Sequence, residues 1–129
     1  MTYIVDTHVL VWFLTGSKQL SKTVTDILKK REIKIIIPTI VLAELKYLHK
    51  RKKIPISFEK VKSAIDEDER CVIFPLNEDI IDVIPTQLDI HDGIICGTAI
   101  LFSKTLKDKV AILSRDREIK DSQLVQVIW

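Results

Sequence analysis

Four carboxylates stand where their surroundings give them no obvious solvating or structural duty: Asp6, Glu44, Asp92 and Asp116. Asp6 directly follows the apolar run Tyr3 to Val5, and Asp116 follows Val110 to Leu113 through Ser114 and Arg115. Glu44 lies one helical turn from both Val41 and Leu48, on or beside an apolar stripe. The positions three and four further on are Tyr47 and Leu48, so its own helix offers no cation there. Asp92 precedes Ile95, Cys96 and Ala99 at helical spacing, and so points the way the core face points. Each acid also has a plainer reading. Asp6 and Asp116 suit turns or helix caps, Asp92 suits a first helical turn, and Glu44 could reach solvent from a boundary position. Asp89 is the better cap for the helix that carries Asp92. Gathered together, such groups repel: two unit charges about 4 Å apart cost roughly 4 kcal/mol at an effective dielectric of 20. A divalent cation removes that penalty, and an all-oxygen donor set favours Mg²⁺ or Mn²⁺ over zinc. One or two such ions can activate water for phosphodiester hydrolysis.

The elements that must position these acids are legible from apolar patterning. Strands are expected at Tyr3 to Val5, Ile33 to Ile37 (stopped by Pro38), Cys71 to Phe74, Val110 to Leu113 and Leu124 to Ile128. Helices are expected at 7–14 (ending at Gly16), 20–30 with Ser21 as a cap, 39–51 capped by Thr39, and 57–66. Further helices are expected at 77–84, capped by Asn77, and 89–106, opened by Asp89. Most of the strands are continuous apolar runs, the pattern of strands covered on both faces. Their alternation with helices predicts an α/β fold with βαβ crossovers and a doubly wound, mostly parallel sheet. In such sheets ligands bind beyond the carboxyl ends of the strands, where Asp6 and Asp116 fall.

The 129 residues suit one domain over 1–129, with no linker, repeat or low-complexity tract. Hydrophobic residues at 47% and charged residues at 29% exclude a disordered chain. A net charge of +2 is too mild to identify a nucleic-acid binder by itself. Cys71 and Cys96 match no zinc spacing and are expected as free, buried thiols in a reducing compartment. No segment has the length of a membrane span, and the opening MTYIVD reads as a strand, not as a leader, so a cytoplasmic location is expected. There is no GxGxxG and no P-loop.

At this point four stretches resemble the four motifs of bacterial and archaeal PIN domains, in order and over nearly the whole chain. They are YIVDTHVLVWFL, IVLAELKYL, LDIHDGIICGTAIL and AILSRDREIK, whose family acids match Asp6, Glu44, Asp92 and Asp116. The resemblance implies a three-layer α/β/α sandwich around a central, mostly parallel sheet, and Mg²⁺- or Mn²⁺-dependent ribonuclease chemistry on RNA. It further suggests the stand-alone VapC-type toxins of type II toxin–antitoxin pairs, which work as homodimers silenced by an antitoxin protein. Thr7 and Ser114 would then support the metal site from behind the acids. Two departures stand out: Gly93 occupies a place where the family often carries a larger residue, and Ser114-Arg115 stands where Thr or Asn often precedes the last acid.

Other features carry less. Lys50, Arg51 and Lys52, in the run HKRKK, offer contacts to RNA phosphates, or simply cap a solvated helix C-terminus. His8 and His91 flank two of the acids, and a packing or rim place is expected for them over a catalytic or ligand role; core or interface use is expected for Trp12 and Phe13 over base stacking. Two rival readings remain: a PIN-fold module that binds RNA or protein without catalysis, and a receiver-like signalling domain. The second lacks its phosphorylatable acid, because the middle strands run into Pro38 and Pro75.

Overall fold

Apolar β-rich runs with no room for polar alternation become the inner strands of the sheet. The computed structural model describes residues 1–129. Its five strands are β1 (Thr2–Val5), β2 (Lys34–Pro38), β3 (Cys71–Phe74), β4 (Val110–Leu113) and β5 (Val127–Ile128). Every pairing is parallel, and the order is β3-β2-β1-β4-β5. The register runs Thr2 opposite Lys34 on one side of β1 and Thr2 opposite Val110 on the other. All four residues of β1 are buried, as are the last four of β2, so the sheet is the middle layer of an α/β/α sandwich.

The strand order reverses direction at β1. β2 and β3 follow on one side and β4 and β5 on the other, so the crevice of an open α/β sheet lies beyond the carboxyl ends of β1 and β4. Asp6 and Ser114 are the residues immediately past those two ends.

Seven helices complete the layers: α1 (Thr7–Thr15), α2 (Lys22–Leu28), α3 (Thr39–Lys50), α4 (Phe58–Glu67), α5 (Glu78–Val83), α6 (Ile90–Thr105) and α7 (Arg117–Asp121). Side-chain caps begin most of them. Ser21 accepts the amide of Val24, Ser57 that of Lys60, Asn77 that of Ile80, and Asp89 that of Asp92. Gly16 closes α1 at φ 65°, the left-handed conformation a side chain disfavours. α6 is buried continuously from Asp92 to Ala99. A Cβ on Gly97 would come 3.2 Å from both Ile80 and Ile84, so glycine is what lets α5 lie against α6.

Several expectations need correction. Pro38 is the last residue of β2 and also the N-cap of α3, without a side-chain cap bond. Thr39 is therefore the first helical residue, and its hydroxyl instead accepts the amide of Leu76 at 3.2 Å. α2 is shorter at both ends than expected. The last strand is two residues long, because Ser122 and a left-handed Gln123 (φ 57°) hold the chain in a turn up to Leu124. β3 is an edge strand with Val72 40% exposed, so coverage on both faces stops short of it. Both cysteines are free, but Cys71 is only half-buried.

Arg70 joins α2 to β3. It donates to the carbonyls of Leu28 (2.7 Å) and Lys30 (2.5 Å), which the end of α2 leaves without helical partners, and it forms a two-pronged pair with Asp68.

Candidate active site

Asp6 occupies the single residue between β1 and α1, and its two oxygens do different work. Oδ1 accepts the amide of Thr7 at 2.7 Å, and Oδ2 accepts the hydroxyl of Ser114 at 2.6 Å. The Ser114 oxygen in turn accepts the amide of Asp116 at 3.0 Å. Ser114 is 1% exposed, so this bridge between the ends of β1 and β4 is shielded from water. Asp116 caps α7 through Oδ1, which accepts the amides of Glu118 (2.8 Å) and Ile119 (3.2 Å). Its Oδ2 takes no hydrogen bond from the protein. The plain reading and the functional one are therefore compatible: both aspartates cap helices and each keeps oxygen lone pairs free.

The other two acids meet through a histidine. His91 Nε2 lies 2.7 Å from Glu44 Oε2, and Nδ1 lies 3.5 Å from Asp92 Oδ1. The hydrogen bond to Glu44 pushes the His91 pKa up to about 9, against the opposing effect of burial. At neutral pH the ring is thus an imidazolium between two carboxylates. His91 in turn holds the Glu44 carboxyl below its ordinary range. Thr7, fully buried, places its hydroxyl 3.5 Å from His91 Nε2.

Asp92 behaves differently. Burial is the main cause that lifts its pKa to about 6, and the charges of Asp116 and Asp89 add to it. Ionised Asp92 is therefore under-compensated in the protein alone. Asp89, Asp92 and Glu118 each bring one carboxylate oxygen within 4.8 Å of the others. Only Asp92 of this trio belongs to the four acids singled out in the sequence. Asp89 does act as the cap of α6, yet it also belongs to the acidic cluster.

The expected residues thus arrange as two linked pairs: Asp6 with Asp116 through Ser114, and Glu44 with Asp92 through His91. Thr7 and Ser114 lie against those pairs. Two participants go beyond the sequence reading. His91, for which a packing or rim place is expected, links two of the acids, and the only sequence signal for Glu118 is its place two residues after Asp116. Lys50, Arg51 and Lys52 lie exposed at the end of α3 and in the turn after it, with the Arg51 guanidinium 4.9 Å from the Tyr47 ring centre. Trp12 packs partly against the core, in keeping with its expected role.

The profile of the PIN domain family matches residues 3–122. The chain belongs to the PIN domain family. Solved structures that share its fold include chains of three toxin–antitoxin assemblies named VapBC2, VapBC-1 and FitAcB. A chain of VapBC2 from Rickettsia felis, bound to a DNA fragment from its promoter, aligns with TM-score 0.68 at 18% identity, covering 99% of this chain and 98% of that one. A chain of VapBC-1 from nontypeable Haemophilus influenzae aligns with TM-score 0.67 at 14% identity, covering 99% and 97%. A chain of FitAcB from Neisseria gonorrhoeae aligns with TM-score 0.65 at 18% identity, covering 98% and 96%. No curated protein matches the sequence significantly.

Both departures from the usual PIN motifs now have a structural account. A Cβ on Gly93 would stand 3.2 Å from the carbonyl oxygen of Pro85, so a larger residue here needs the segment after α5 to retreat. Ser114 supplies the hydroxyl that joins Asp6 to Asp116.

Proposed function

We propose that this PIN domain is a metal-dependent endoribonuclease that hydrolyses RNA phosphodiesters, and that it is the toxin of a type II toxin–antitoxin pair. The observation that carries the reading is the buried carboxyl of Asp92, which stands in an acidic cluster with Asp89 and Glu118, one oxygen of each within 4.8 Å of the others; burial and the charges of Asp116 and Asp89 oppose its ionisation more than His91 favours it. A divalent cation would relieve that opposition, and the four acids offer it only oxygens, which suits Mg²⁺ or Mn²⁺. Asp6, Glu44, Asp92 and Asp116 would hold the ion. When bound, it supplies the charge that lowers the pKa of an attacking water and stabilises the leaving oxygen.

The chain's own residues prepare that chemistry. Ser114 fixes the separation of the β1 and β4 ends by bonding both Asp6 and Asp116. His91 orients Glu44 by a hydrogen bond from the neighbouring helix. The exposed Lys50, Arg51 and Lys52 offer charge to an RNA backbone. The toxin role, the antitoxin partner and a homodimeric state rest on the motif resemblance to VapC-type toxins, with the fold likeness to chains of VapBC and FitAcB structures in support. No helix is long and apolar enough to cross a membrane.

The test is cleavage of a labelled single-stranded RNA with Mn²⁺ or Mg²⁺. Wild type should cut; Asp6→Asn and wild type in EDTA should not. Cutting that persists in either control overturns the assignment. For the toxin role, expressing the chain alone should arrest growth, and co-expression of the neighbouring gene's product should restore it.

A further inference from the structure

Beside the acids lies a second, chemically different surface. Asp6, His8, Val9, Trp12, Arg115 and Asp116 line an open cleft of about 280 Å³, just below the size that takes a drug-like ligand. One wall is the acidic pair of the site. The other is aromatic: the Trp12 ring sits 5.6 Å from His8, centre to centre, with the two planes tilted by 47°. Over the indole lies the Arg115 guanidinium, 5.7 Å from the ring centre.

Arg115 invites explanation. It is exposed and adjoins Asp116, yet it makes no ion pair and no hydrogen bond within the protein. A guanidinium has five donors in a planar fork that matches phosphate oxygens. Here all five remain available, on a side chain already oriented by the indole beneath it. Aromatic faces bind nucleobases irrespective of sequence, and arginine pairs with phosphate.

We infer that this cleft holds the nucleotide next to the scissile phosphodiester. Arg115 pairs with a phosphate, and the ring surface of Trp12 and His8 supports a base. The inference rests on the nuclease reading above and specifies how that site takes its substrate. A single-stranded RNA is the occupant that fits best. The cleft is continuous with the acids proposed to act on a phosphodiester, and it combines an unpaired guanidinium with ring surface. An acidic peptide would use the guanidinium but has no need of the rings.

Binding can be read apart from cleavage by titrating labelled single-stranded RNA into the full chain in EDTA, at several salt concentrations. Arg115→Gln should weaken binding roughly tenfold and flatten the logarithmic salt slope by about 0.7, the signature of one lost phosphate contact on a single strand. Arg115→Lys should recover the slope but only part of the affinity, because lysine lacks the planar fork. An RNA with one abasic position should bind wild type more weakly than intact RNA. That difference should shrink in Trp12→Ala and persist in Trp12→Phe, which keeps a ring and tests against mere loss of folding. Unchanged RNA affinity and slope in Arg115→Gln would overturn the inference, even if Asp6→Asn abolishes cleavage and the nuclease reading stands. RNA binding that needs Arg115, without any cleavage, would support the cleft and sink the nuclease reading instead. Arg115-dependent binding of a poly-glutamate peptide in place of RNA would make the cleft a protein-docking site and overturn the inference.

Discussion

His91 and Glu44 face each other across two helices with 2.7 Å between Nε2 and Oε2. Removing the ring leaves Glu44 free to rotate and removes a cation from between two carboxylates. His91→Ala should lower RNA cleavage by roughly 10–100-fold, the usual loss when a group that orients a metal ligand is removed. His91→Gln, which can still donate to Glu44, should recover part of it. Stability should fall by only about 1 kcal/mol, since the pair is partly solvated. Thermal unfolding measured beside kinetics separates the two effects.

Ser114→Ala should act on metal affinity more than on the fold. It unties Asp6 from Asp116, so calorimetric Mn²⁺ binding should weaken by about 10-fold or more. Ser114→Thr keeps the hydroxyl and should restore affinity if the methyl group is accommodated. Equal affinity in Ser114→Ala and wild type would show that the bridge does not organise the site.

Asp92→Asn should separate stability from activity. At neutral pH the ionised carboxylate opposes folding, because its pKa in the folded protein is raised to about 6. In EDTA the asparagine variant should therefore be more stable than wild type, by roughly 1–3 kcal/mol. Cleavage should be lost, along with the stabilisation that Mg²⁺ confers on wild type. A less stable variant in denaturant titrations would contradict this account.

Asp68 supplies a pH test remote from the acids. Arg70 holds its carboxyl below the ordinary value of 3.8. Such a group contributes stability that is fully present above that value and disappears as pH falls through its folded pKa. Asp68→Asn should cost about 1 kcal/mol at pH 7. The gap to wild type should close progressively below about pH 4. A gap that stays constant from pH 7 to 3 would show that the pair is energetically silent.

Much of the fold was readable because β1, β2 and β4 are buried apolar runs, and because Ser21, Ser57, Asn77 and Asp89 mark helix starts between the strands. Asp6 and Asp116 were readable for the same reason: a strand end followed by an acid marks the crevice of a parallel sheet. What escaped depended on tertiary pairing. The partner of Glu44 comes from α6, far away in the chain, and no helical spacing reveals it. Glu118 sits on a helix of five residues, too short for any face to be read from periodicity. Pro38 looked like a strand breaker, but as the last residue of β2 it also fixes the backbone for the entry into α3.

Asp6 and Asp116 serve two masters, since the oxygens that flank the proposed chemistry also cap α1 and α7. Asparagine, serine and threonine cap helices nearly as well as aspartate, whereas alanine does not. Selection for folding would go on acting at both positions in a lineage that abandoned catalysis. Its inactive descendants would carry amides or hydroxyls there, and a decayed site of this design would fossilise as Asn or Ser, not as Ala.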